Sequence, residues 1–118
     1  MISSLVKKTR QVFHVHELTR DLKNLIEENF HSVWVQGEVS NCKVSAAGHI
    51  YFTLKDDQAQ LSAVLFKGFL RLIKFEIEDG MALVVHGKLS VYETRGQYQI
   101  IIDHAEPDGI GALQLAFE

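Results

Sequence analysis

Five stretches of this sequence place apolar residues at every second position, arranged as three, a break at Gly68, and two more. A period of two marks a half-buried β-strand, because successive side chains leave the pleat on opposite faces. In the first stretch Val33, Val35, Gly37 and Val39 alternate with Trp34, Gln36, Glu38 and Ser40. In the second, Ile50, Phe52 and Leu54 alternate with His49, Tyr51, Thr53 and Lys55. In the third, Leu61, Ala63 and Leu65 alternate with Ser62, Val64 and Phe66. After Gly80 the pattern resumes at Leu83, Val85, Gly87, Leu89 and Val91, and a last run covers 98–104 before Pro107 and Gly109. Residues 41–48 are small and polar and read as a loop, and 69–75 as a short helix or irregular connection. Asp56-Asp57-Gln58 and Thr94-Arg95-Gly96 read as turns.

Ahead of the strands, Leu18, Leu22, Leu25 and Ile26 follow the spacing of one helical face, which is expected to be buried. Glu17, Arg20, Asp21, Lys23, Glu27 and Glu28 fill the other face, and Asn29 is a plausible stop. One helix, three strands, a break and two strands is the element order of an all-β fold with a flanking helix: a five-stranded OB-fold barrel preceded by an N-terminal α-helix. Gly37 and Gly87 fall inside strands, where glycine marks the bulges or bends that a small barrel needs to close. The expected organisation is an arm over 1–14, the barrel over 15–108, and over 109–118 the start of a helix leading to a further domain.

The 118 residues, 47% hydrophobic and 23% charged, suit one domain with one modest core. No apolar run approaches the roughly 20 residues that span a bilayer. The basic first ten residues lack the apolar stretch of a signal peptide, so the expected location is cytoplasmic with no membrane partner. Cys42 is the only cysteine, which excludes an internal disulfide and a Cys-rich zinc site, and it reads as a plain strand residue. His14 and His16 could share a strand face, but no histidine pair sits in a ligand motif. Gly109-Ile110-Gly111 lacks the lysine of a phosphate loop. No catalytic residues, metal or cofactor are therefore expected in this stretch, which is not itself expected to be an enzyme.

An OB barrel offers the face of its second and third strands, with the loops after the first and fourth, to oligonucleotides. Single strands are held there by aromatic stacking and by cations along the backbone. The candidates on that face are His49, Tyr51, Lys55, Phe66 and Lys67; those of the fourth-to-fifth-strand turn are Tyr92, Arg95 and Tyr98. Phe66 either stacks on a base or covers the barrel end under the following helix. Tyr51 stacks or packs across strands. Arg95 grips a phosphate or base, or is an idle hairpin charge. Trp34 packs beside the N-terminal helix or takes part in binding, the first being the expectation. The net charge of −3 counts against a backbone-tracking surface. However, Lys43, Lys55, Lys67, Arg71, Lys74, Lys88 and Arg95 lie in or beside the central strands, while Asp103, Glu106, Asp108 and Glu118 crowd the C-terminal end.

Four segments carry a resemblance: Val33-Trp34-Val35-Gln36-Gly37-Glu38-Val39-Ser40-Asn41, Gly48-His49-Ile50-Tyr51-Phe52-Thr53-Leu54-Lys55-Asp56, Tyr92-Glu93-Thr94-Arg95-Gly96-Gln97-Tyr98-Gln99 and Gly109-Ile110-Gly111-Ala112-Leu113. In this order they resemble the large subunit of exodeoxyribonuclease VII, over roughly residues 14–118. The resemblance implies the N-terminal nucleic-acid-binding domain of an enzyme that degrades single-stranded DNA from either end. A catalytic domain and the segments that carry the small subunits would lie beyond Glu118. The implied partners are single-stranded DNA, that catalytic domain and, through the absent C-terminal region, the small subunits.

The family's phenylalanine and basic residue at the end of strand three fall on Phe66 and Lys67, the latter more often arginine. Ile50 stands for a usual tryptophan, Thr94 for a common proline, and His16 for a usual serine, which would weaken the helix N-cap. Weak binding with little sequence preference and a marked salt dependence is expected. A small OB-fold nuclease and a docking or oligomerisation module that barely touches DNA are the rival readings.

Overall fold

A computed structural model describes residues 10–109. Helix α1 spans Val15–Asn29, followed by β1 (Val33–Val44), β2 (Ile50–Lys55), β3 (Gln60–Leu65), the single turn α2 (Lys67–Leu70), β4 (Ala82–Tyr92) and β5 (Gln97–Pro107). The strands close into a barrel in the order β1–β2–β3–β5–β4. All pairings are antiparallel except β3 with β5, a parallel seam with only three register pairs, Ser62–Gln99, Ala63–Ile100 and Val64–Ile101. The expected five-stranded OB barrel behind a helix is thus present. The expectations for residues 1–9 and for a helix over 109–118 lie outside the described residues, Gly109 apart.

The inward set of each strand fills the barrel. Val39, Phe52, Leu54, Ala63, Leu65, Leu83, Val85, Ile100 and Ile102 are buried and form one cluster, joined by Ile77 from the connection after α2. Val64 departs from the alternation. It lies between Tyr51 and Ile101 in the two registers and is only 1% exposed, although its parity is outward. A strand flanked on both sides leaves a short apolar side chain little path to solvent.

Gly87 shows why glycine stands in β4. The β4–β5 register shifts between His86 and Gly87. A Cβ on Gly87 would sit 2.2 Å from the Ile101 carbonyl oxygen, so no other residue fits this approach without a backbone shift.

Three expectations need correction. The leucine face of α1 is not buried: Leu18, Leu22 and Leu25 are exposed, and the helix has no buried residue. Its half-buried positions are Thr19, Lys23, Ile26 and Glu27, and α1 packs on β4. Polar anchors set this orientation, with Ser90 Oγ donating to Glu27 Oε2 at 3.0 Å. Trp34 is not packed away: it is 61% exposed, with its ring beside those of His86 and His104. His14 and His16 are not on a strand. His14 is the N-cap of α1, with its backbone N–H donating to Glu17 Oε1 at 2.7 Å, and His16 lies inside the helix.

Strand β1 also runs further than its alternation suggests, through residues read as loop. Ser40 faces Thr53 and Lys43 faces Tyr51, so β1 carries one extra residue there. Asn41 takes that bulge with φ +52°, a left-handed conformation asparagine tolerates better than most residues. The bulge switches the parity of the strand: Val39 faces the core before it and Cys42 packs against the core after it.

Candidate nucleic-acid interface

The β4–β5 hairpin is built by its turn. The backbone N–H groups of Arg95 and Gly96 both donate to the Tyr92 carbonyl, at 3.1 and 2.9 Å. Gly96 closes the turn with φ +62°, a conformation open to glycine without strain. The Arg95 guanidinium carbon lies 5.7 Å from the Tyr92 ring centroid, within cation–π range. Lys23 of α1 donates to Glu93 Oε1 at 3.1 Å and ties the hairpin tip to the helix. The hydrogen bond and charge of Glu93 raise the Lys23 ammonium above its usual pKa.

Between this hairpin and the outer face of β2–β3 lies a cleft of about 440 Å³. Tyr51, Tyr92 and Tyr98, all the tyrosines of the chain, line it together with Arg95. The rest of its wall is amide, hydroxyl and alkyl, including Asn41, Thr53, Ser62, Gln97 and Gln99. A second cleft of about 300 Å³ continues it past Thr53, Ser62, Gln97 and Tyr98 to Gln60 and Gly96. Among the described residues Arg95 is the only charged one lining either cleft, and no carboxylate does. The groove therefore offers ring faces and hydrogen-bonding groups with one cation, and not a strongly positive wall.

The other candidates stand elsewhere. His49 and Phe66 meet edge to face at 5.1 Å, one step beyond the Ile50–Leu65 pair. The Lys67 backbone N–H donates to His49 Nδ1 at 3.0 Å, and the Lys67 stem lies over Gly48. Phe66 is half-buried and borders a separate pocket of about 360 Å³ with Phe69, Lys88 and Ile101. Lys55, at the other end of β2, faces Glu38 and Gln60 in the two registers and does not line the cleft. Thus Tyr51, Tyr92, Arg95 and Tyr98 converge, while His49, Phe66 and Lys67 form a neighbouring group and Lys55 stands apart.

Sequence reasoning did not single out Asn41, Gln97 or Gln99. Asn41 sits at the bulge and lines the cleft; in the sequence it closes both a strand pattern and the first resemblance segment. Cys42, just past the bulge, donates its backbone N–H to Asp79 Oδ1 at 2.8 Å; burial and then the Asp79 charge push its thiol pKa up. Among the described residues no three His, Cys, Asp or Glu side chains are placed to hold a metal ion, and no helix is long and apolar enough to cross a membrane.

Residues 13–106 match the family described as OB-fold nucleic acid binding domain. The chain belongs to that family. Its groove occupies the surface where OB-folds bind oligonucleotides, between the β2–β3 face and the loops after β1 and β4. This OB-fold domain is 51% identical over 108 residues to the exodeoxyribonuclease 7 large subunit of Geotalea daltonii, covering 92% of this chain and 24% of that protein. It is 52% identical over 111 residues to that of Bacillus mycoides, covering 92% and 25%. The chain thus spans about a quarter of the length of these relatives.

The same barrel recurs in proteins far apart in sequence. A replication protein A heterotrimer bound to ssDNA shares it with a TM-score of 0.55 at 14% identity, over 74% of this chain and 72% of that one. Asparaginyl-tRNA synthetase from Pyrococcus horikoshii does so with a TM-score of 0.57 at 14% identity, over 75% and 21%. At such identity the likeness concerns the fold.

Proposed function

We propose that this chain binds single-stranded DNA in the groove between β2–β3 and the β4–β5 hairpin, as the substrate-gripping domain of an exodeoxyribonuclease VII large subunit. The observation that carries the reading is the gathering of all three tyrosines and Arg95 around one cleft free of carboxylates. Unpaired bases stack on such rings, each stack contributing about 1–3 kcal/mol, with little regard to sequence. The cleft's amides and hydroxyls meet base edges, and Arg95 meets a phosphate or a base face. Lys43, beside Tyr51 in the register, and Lys67, beyond Phe66, extend the track for the backbone as point charges. Hydrolysis, in this reading, belongs to a catalytic domain of the longer protein, which acts in the cytoplasm with its small subunits.

Fluorescence anisotropy of a labelled oligothymidylate titrated with the chain tests the proposal. Saturable binding that duplex of equal length does not match supports it; no binding at low salt overturns it. A second reading, a module that docks on another part of the longer protein, is favoured by the exposed Leu18, Leu22 and Leu25 stripe.

A further inference from the structure

The barrel carries a second aromatic surface that lines neither cleft. Trp34 of β1 pairs in register with His86 of β4, and His86 with His104 of β5, so three rings cross three strands in one row. The Trp34 ring lies 4.8 Å from that of His86 and 5.9 Å from that of His104. At 61% exposure, Trp34 is the most exposed tryptophan, tyrosine or phenylalanine among the described residues.

Its neighbours are held in place. His86 Nδ1 donates to Asp103 Oδ1 at 2.7 Å, and its Nε2 lies within hydrogen-bond reach of Ser32 Oγ at 2.9 Å. His104 Nε2 pairs with Glu106 Oε2 at 3.1 Å. The indole thus stands exposed beside two histidines that are each hydrogen-bonded to a carboxylate.

The surroundings set the sign of the partner. Asp103 and Glu106 are exposed beside the row, and Asp108, held by Gln36, lies one step along it. Among the described residues no lysine or arginine is bonded to these three carboxylates. The nearest cation in the register is Lys88, opposite Ile101 beyond the Gly87 bulge. An apolar partner would strand the carboxylates without water, and a phosphate backbone would meet like charge. A guanidinium instead stacks flat on an indole and forks onto a carboxylate, which an ammonium cannot do.

We infer that the Trp34–His86–His104 face docks an arginine-bearing segment of a protein partner, with the guanidinium on the indole and its fork on Glu106. This surface works independently of the DNA groove.

Trp34 is the only tryptophan, so its emission reports on this face alone. The chain is titrated with an arginine octapeptide, a lysine octapeptide and an oligothymidylate, and its self-association is followed by sedimentation. The expected result is a saturable change of Trp34 emission with the arginine peptide, about fivefold tighter than with the lysine peptide. Glu106→Gln should weaken it by about fivefold and Arg95→Ala should leave it unchanged, both variants keeping the parent's circular dichroism. No saturable change, equal binding of the two peptides, or indifference to Glu106→Gln overturns the inference. So does a saturable response to the oligothymidylate, which makes the face part of the DNA track. A dimer that Trp34→Ala dissociates overturns it too, by assigning the face to a second copy.

Discussion

The guanidinium of Arg95 rests over the ring of Tyr92, 5.7 Å from its centroid, at the rim of the groove. This contact holds a cation at the hairpin tip without a carboxylate to neutralise it. Arg95→Ala should weaken oligothymidylate binding by about 1–2 kcal/mol, on the order of tenfold in Kd, and Arg95→Lys should restore only part of that. Tyr98→Ala should weaken binding by a similar factor through the lost stack. Anisotropy titrations of the three variants check this, and affinities equal to the parent's in all three would remove the hairpin from the interface.

Salt dependence follows from the count of cations on the groove. Each phosphate neutralised on a single strand contributes a slope of about −0.7 in log K against log salt. With Arg95 the single charged residue of the lining among the described residues, and Lys43 and Lys67 extending the track, the slope should stay near one to three such contacts, about −0.7 to −2.1. A slope steeper than about −3 would place the strand on the surface lysines instead.

Gly87→Ala tests the barrel's closure. The new methyl would meet the Ile101 carbonyl oxygen at 2.2 Å, and the neighbouring atoms within 3.0 Å are also backbone. Backbone cannot step aside as a side-chain tip can, so the substitution should destabilise the fold by about 3 kcal/mol, the upper end of overpacking costs. Urea unfolding of the two proteins measures the difference. Gly68→Ala, which meets no atom within 4 Å, serves as the control.

The β2–β3 turn predicts a pH effect. Asp56 accepts from the Gln58 and Ala59 backbone N–H groups, both at 2.8 Å, and these bonds lower its carboxyl pKa below 3.8. A lowered folded value stabilises the fold above the unfolded value, and that contribution is lost as pH falls through the folded one. The Tm gap between parent and Asp56→Ala should therefore be constant above about pH 5 and shrink below 3.8. A gap that does not narrow in acid would show that the carboxylate charge contributes nothing.

Much of this fold was legible because its strands obey a strict alternation: Leu83, Val85, Ile100 and Ile102 are fully buried, as their parity demands. Alternation is blind to an inserted residue, so the bulge at Asn41 and the continuation of β1 to Val44 stayed hidden. Helical periodicity identified α1 but misread its contact. Leu18 and Leu22 form the more apolar stripe, yet Lys23, Glu27 and Ile26 face the barrel, because bonds to Glu93 and Ser90 fix the helix there. The hairpin residues were found from an aromatic–arginine turn, which is local. Whether Phe66 joins them depends on the distance between two strand ends, which no local pattern encodes.

The parallel seam between β3 and β5 has a consequence for any occupant of the groove. Ser62 on one side and Gln99 on the other both line the cleft, and they are themselves a pair of that three-pair seam. A strand of DNA lying there spans the shortest stitching in the barrel and laces its two edges together. Ligand and fold then reinforce each other: occupancy should slow amide exchange along residues 62–64 before it does so anywhere else in the sheet.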